Sequence, residues 1–294
     1  MIQLSRVRTA PPVHKNFYGT KREELNYKLL KLKRDGVLDS GPSEDKWDSS
    51  IWKEAKDQLL AETHNKCAYC ETPTKVIAYG DVEHFRPKSK YWWLAYSYEN
   101  YLASCTLCNQ KFKSDGFLLR DTTKQLKGIN ITPAMTDAHL KTLAARLTVD
   151  PIKEIEGMAY QDFENELMSE WALLVHPYYE DPAEYYGYKP ILETREVHVV
   201  PTKNEYKDVV DAADTLFGIN RLELLDLRFQ WYCLYMTCRH TLADNGISAN
   251  TRIMNKKRLD DMLTGYEAYT GMVRYFETQT LETLPWRFDI SAIP

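Results

Sequence analysis

Glu83 and His84 stand side by side in GDVEHFRPKSK (80–90), with Arg86 and Lys88 just beyond them. Cys67-x-x-Cys70 precedes this stretch and Cys105-x-x-Cys108 follows it. Two chemistries fit these residue types. The two cysteine pairs supply four thiolates, the ligand set of a closed tetrahedral zinc site that leaves no position for substrate and therefore serves structure. Such sites bind with an apparent energy of about 10–16 kcal/mol, enough to pin a region that has little core of its own. Redox dithiols, or four unrelated buried cysteines, are the alternative use of the same residues. The histidine, with a reference pKa near 6.5, can accept a proton at neutral pH. A neighbouring carboxylate and an amide oxygen are hard ligands suited to Mg²⁺ or Mn²⁺. Without the flanking cysteines the same residues would read as a polar surface turn.

The elements that must hold these groups follow from composition and pattern. The chain has 294 residues, 44% hydrophobic and 27% charged, which suffices for one large or two modest domains. No apolar run approaches the roughly 20 residues a membrane span needs. MIQLSRVRTAPP has arginines but no hydrophobic segment behind them, so no secretory signal and a cytoplasmic location are expected, with thiols or metal favoured over disulfides. Net charge is −4, too weak to mark the whole chain as a polyanion binder, but it is unevenly spread. Residues 1–35 hold nine Lys and Arg against three Asp and Glu, and residues 75–128 hold nine against five. Residues 129–294 hold sixteen against twenty-six. A polyanion is therefore expected at the N-terminal part and around the histidine, although basic runs such as KLLKLKR are equally the solvated faces of helices.

KREELNYKLLKLKR has helical apolar spacing, and DSGPSEDKWDSS (39–50) is a connection. IWKEAKDQLLAETHN reads as one amphipathic helix, with Trp52, Ala55, Leu59 and Leu60 on one side. From Cys67 to Lys113 short strands and turns are expected, including VIAYGDVEHF and YENYLASC. KGINITPAMTDAHL reads as a loop returning to helix. HPYYEDPAEYYGYKP reads as an ordered loop or cover. NRLELLDLRFQWYCLYMTCRH and RIMNKKRLDDMLTGYEAYTGMVRYF read as long helical segments. Cys233 and Cys238 are expected to be core thiols, and His14, His139, His198 and His240 are isolated. Three regions are expected: a basic helical segment over 1–60, the chemistry-bearing module over 61–128 and a mainly helical domain over 129–294.

Taken together, CAYC, DVEHFRPKS, YENYLASC and CTLCNQK resemble the HNH endonucleases. Further similarity, in VRTAPP, KCAYCE, HPYYEDP (with His176 where the pattern has asparagine) and Gly271-Met272-Val273-Arg274, is to the Septu- and retron-associated anti-phage members of that superfamily (PtuB-like). The resemblance is specific over roughly residues 60–120 and looser beyond. It implies an α+β fold in which a ββα-metal module with a structural four-cysteine zinc site is embedded in a mainly helical protein. By position it makes His84 the general base, Glu83 and Asn109 the holders of a catalytic Mg²⁺ or Mn²⁺, and Asn100 a residue that orients the hairpin or the histidine. Arg86, Lys88 and Lys111 become phosphate contacts and Asp81 an auxiliary. The chain departs from the pattern in Asn-Tyr-Leu for Asn-Leu, and in placing Lys111 two rather than three residues after Asn109. The implied partners are nucleic acid, DNA by default with RNA or tRNA as the alternative, and an ABC/SMC-like ATPase (PtuA-like) docked on the acidic C-terminal half. No membrane partner is expected. A non-catalytic zinc-ribbon adaptor is the competing function. If His84 acts with an unperturbed pKa, the rate should rise through about pH 6–7.

Overall fold

The computed structural model describes residues 1–40, 46–74, 80–154 and 158–286. The predicted strand residues 76–79 lie outside that set. Helix α1 (Gly19–Arg34) buries Leu29 and Leu30 and ends in Lys31, Lys33 and Arg34, cations suited to the negative end of its dipole. It packs on α4 (Asp137–Ala144), where the Asn26 amide donates to the Ala144 carbonyl at 2.9 Å and Arg22 donates to the Thr148 carbonyl.

The single helix expected over 51–65 is broken in two, α2 (Ser49–Lys53) and α3 (Lys56–Glu62). Asp48 caps the first by accepting from the Ser50 amide. Ile51, Ala55, Leu59 and Leu60 go to the core, while Trp52 stays half-buried beside the hairpin that follows. His64 and Asn65 both take positive φ, and the Asn65 carbonyl receives the Thr74 amide, so the chain reverses directly into the first cysteine pair.

Strands β1 (Asp81–His84) and β2 (Tyr101–Ser104) pair antiparallel, with Glu83 opposite Leu102 and His84 opposite Tyr101. A seven-residue π-helix, Leu107–Lys113, follows at once. After α4 come α5 (Tyr160–Met168) and a second hairpin, β3 (Tyr186–Ile191) with β4 (Glu196–Pro201). The expectation of a loop over 176–190 is corrected in its last residues. Tyr186 and Tyr188 are buried on β3, and Val197 and Val199 alternate inward on β4 with the period of two that a half-buried strand requires.

Helices α6 (Lys207–Phe217), α7 (Leu222–Ala243), α8 (Ala249–Leu263) and α9 (Thr270–Glu277) follow. The segment predicted as one long helix over 252–276 is interrupted at Gly265, whose φ of +100° no helix accommodates. On α7, Cys238 is buried and Cys233 half-buried.

The N-terminal basic charge is partly internal, contrary to the expectation that it faces a polyanion. Arg6 is 3.3 Å from Glu62 and lies over the Tyr178 ring at 3.6 Å. Arg8 is 2.7 Å from Glu99. These guanidiniums neutralise buried carboxylates that the helices would otherwise strand.

Helix α6 lies against the π-helix. Gly218 ends α6 in the left-handed conformation (φ +57°), and a Cβ there would sit 2.6 Å from the Phe112 ring. Gly218→Ala is therefore expected to combine a left-handed penalty of about 1–2 kcal/mol with a clash against the helix that carries Cys108 and Asn109. Chemical denaturation should show a loss of at least that size.

Candidate metal and active site

The four sulfurs of Cys67, Cys70, Cys105 and Cys108 lie within 4.8 Å of one another, and among the described residues they form the only cluster able to supply a metal with three or more His, Cys, Asp or Glu ligands. Backbone turns build it. The Cys67 amide donates to the Thr72 carbonyl, the Ala68 amide reaches Ala103 on β2 at 2.9 Å, and the Cys108 amide donates to the Cys105 sulfur at 3.4 Å. A tetrahedral zinc with bonds of about 2.3 Å separates its sulfurs by about 3.8 Å, and Cys70 and Cys105 are 3.9 Å apart. The donor set and its size thus fit a zinc-type ion. Arg221 reaches Cys108 at 3.6 Å and Cys70 at 3.8 Å, placing a cation against the negative charge of four thiolates.

Register places Glu83 and His84 at the end of β1 that leads into the loop. His84 is 8% exposed, with the Trp52 and Tyr101 rings nearly perpendicular to its own at centroid distances of 5.0 and 5.1 Å. Its Nε2 is 3.0 Å from the Ala95 carbonyl, an oxygen that can only accept. Nε2 therefore carries the proton, and Nδ1 carries the lone pair. Burial, with the charge of Lys88 secondary, lowers the His84 pKa to about 3. The expectation of a histidine titrating near 6–7 is corrected accordingly, because desolvation disfavours the imidazolium.

Glu83 is buried 2.5 Å from the Lys113 ammonium, which also donates to the His84 carbonyl at 2.9 Å. The contact is a close, buried ion pair. Burial raises the Glu83 pKa, and Lys113 pulls it back. Sequence reasoning singled out Lys111, which is exposed on the π-helix, and missed Lys113. The available signal was helical spacing, because a residue four beyond Asn109 returns to the same face. Asn109 itself is half-buried on this helix.

Asn100 is buried and committed to backbone. Its Oδ1 accepts from the Arg86 amide at 2.9 Å and its Nδ2 donates to the Arg86 carbonyl at 2.9 Å, so it clamps the chain just past His84. Arg86 is not a free phosphate contact. It is 1% exposed, bonded to Glu170 at 2.6 Å and to the Leu167 carbonyl at 2.5 Å, and it ties the hairpin to α5. Lys88 is half-buried over the Trp52 ring at 5.6 Å. Asp81 accepts from Gln110 at 3.1 Å. His14, His139, His198 and His240 lie elsewhere, with His198 2.8 Å from Glu196 and His240 stacked on Trp286.

Elemental analysis of the purified chain should find about one zinc per molecule, and Cys105→Ser should lose the metal and melt the hairpin, as read by circular dichroism. Lys113→Met should cost about 3–5 kcal/mol in chemical denaturation, because it leaves Glu83 a buried charge without a partner. Adding Glu83→Gln to that variant should recover most of the loss.

Comparison with known proteins returns two relatives. The Septu protein PtuB of Bacillus mycoides (strain KBAB4) is 35% identical over 88 residues, a match covering 25% of this chain and 30% of the relative. The Septu protein PtuB of Bacillus thuringiensis is 41% identical over 66 residues, covering 21% of this chain and 26% of the relative. The matches thus span less than a third of those relatives' own length. No family model matches, and no solved structure matches. The chain is related to the Septu PtuB proteins over about a quarter of its length.

Proposed function

We propose that this protein is a metal-dependent HNH-type endonuclease that hydrolyses phosphodiester bonds in nucleic acid and serves anti-phage defence together with an ABC/SMC-like ATPase. The observation that carries the reading is the tautomer of His84. With Nε2 fixed on the Ala95 carbonyl, the Nδ1 lone pair is left as a base on the same strand as Glu83. The order β1, β2, helix, with a cysteine pair at each end of the segment, supports it. So does the similarity to proteins named for Septu.

In the reaction, Nδ1 of His84 takes a proton from water as the oxygen attacks phosphorus, and the P–O bond opposite breaks to a leaving oxygen that is reprotonated from solvent. Glu83 and Asn109 would hold a catalytic Mg²⁺ or Mn²⁺, which when bound neutralises charge on the phosphate and the leaving oxygen. Glu83 brings a carboxylate and Asn109 a half-buried amide, both hard oxygen donors of the kind such an ion takes. Lys113 sets a positive charge against the Glu83 carboxylate inside the protein. Asn100 holds the backbone beyond His84, and Lys88 offers an ammonium to phosphate. For the ATPase, the C-terminal helices present exposed apolar side chains, Leu222 at the start of α7 and Ile253 and Met254 on α8.

The test is single-turnover cleavage of plasmid DNA and of total tRNA with Mg²⁺ or Mn²⁺, with and without the ATPase. His84→Ala should lower the rate about 10²–10⁴-fold, the usual contribution of a general base, while zinc content and melting temperature hold. Because burial keeps His84 neutral, the wild-type rate should show no histidine inflection between about pH 5 and 8. Equal cutting by His84→Ala would remove His84 from the reaction, and silence under every condition would leave the zinc-ribbon adaptor as the better description.

A further inference from the structure

A cleft of about 690 Å³ opens beside the hairpin, between the C-terminal end of α1, the loop after β1 and the segment 122–131. Five lysines line it: Lys33, Lys46, Lys88, Lys90 and Lys127. Asp39 is the one acidic residue on its described wall, and Lys33 takes it up at 2.5 Å. Among the described residues the other four lysines form no ion pair with a carboxylate. Lys46 donates to the Leu38 carbonyl, while Lys90 and Lys127 are exposed. Two tryptophans share the wall, Trp47 half-buried and Trp92 buried, with the Lys33 ammonium 5.8 Å from the Trp92 ring centre.

This assembly comes from segments far apart in sequence, and nothing in the hairpin's own architecture requires it. Like charges gathered in a concave wall repel one another, so the cost must be offset by an anion when the cleft is filled. We propose that the cleft binds a single strand of nucleic acid, its phosphates on the lysines and a base against Trp47, and delivers that strand to His84. The inference rests on the nuclease reading above only for its last step.

Three features favour a single strand. Lysines interleaved with aromatic rings match how sequence-tolerant strand binders work, with a cationic groove along the backbone and π-faces for the bases. A duplex keeps its bases stacked inside and has none to offer Trp47. The volume also falls in the range of small-ligand sites, about 300–1,000 Å³, which accommodates nucleotides of one strand and not the width of a helix. Continuity with the candidate active site is direct. Lys88 lines the cleft and lies over Trp52, and Trp52 packs against His84.

The experiment uses the full chain carrying His84→Ala, so that binding is read without turnover and without added Mg²⁺ or Mn²⁺. Fluorescence anisotropy of a labelled single-stranded oligonucleotide is followed against salt, with Lys90→Gln/Lys127→Gln added to the same background. Both side chains are exposed, so an unchanged melting temperature verifies the fold. Affinity should fall about tenfold, and the slope of log K on log salt should become shallower by about 1.4, or roughly 0.7 for each phosphate contact removed. Lys256→Gln/Lys257→Gln on α8 should change neither. The proposal is overturned if the cleft variant keeps the parent's affinity and slope, or if an unlabelled duplex competes as well as the single strand. Strand binding that depends on Lys90 and Lys127 in a chain that never cuts would sink the nuclease reading and leave the cleft standing. Cutting that is unaffected by the two substitutions would do the reverse.

Discussion

Four sulfurs within 4.8 Å of one another oblige two remote stretches of chain, 67–70 and 105–108, to meet at a point. Everything between them is thereby a loop closed at its base. Within that loop β1 and β2 find each other, because β2 runs straight into the second cysteine pair and the first pair is already bonded to Ala103. The hairpin is only four residues long on each strand, too short to stand alone in water. Its persistence depends on the sulfur cluster beneath it, on Asn100 holding Arg86, and on Arg86 reaching across to Glu170. Closing such a loop with a metal removes entropy from the unfolded chain as well as adding bonds to the folded one.

The second constraint is electrostatic. Around the hairpin, carboxylates are taken out of water and each is met by a cation: Glu83 by Lys113, Glu170 by Arg86, Glu62 by Arg6 and Glu99 by Arg8. Buried pairs of this kind add little net stability, yet losing either partner is costly. Their effect is to fix where elements meet. They also withdraw basic residues from the surface, so cationic surface near His84 falls to the lysines, whose flexible stems reach water more readily.

Much of the candidate site was legible in the sequence because its signals are short and local. The cysteine pairs come together as their spacing implied, the acid–histidine dipeptide lies on a short strand, and α1, α4 and α7 form where helix was expected. The misses have physical causes. Pro190 and Gly187 disguised β3 as loop, although the alternation of Val197 and Val199 in β4 was there to be seen. Helix breaks at Glu54 and Gly265 arise from packing and from backbone conformation, which apolar spacing does not encode. Arg86 reads as a phosphate ligand next to His84, and only the placement of α5, eighty residues away, turns it inward to Glu170. Lys113 was missed for a related reason, since its partner Glu83 lies thirty residues upstream and meets it only through the sheet.

The π-helix Leu107–Lys113 brings a sulfur ligand, an amide and the counter-charge of Glu83 onto one wide turn. Its length is therefore not adjustable. Adding or removing a single residue there would rotate Cys108, Asn109 and Lys113 out of phase with three different neighbours at once. The segment 122–131 lies under no such obligation. Along this chain, tolerance of insertion is set by how many independent partners one turn must satisfy, and homologues that differ in length should place the difference outside residues 105–113.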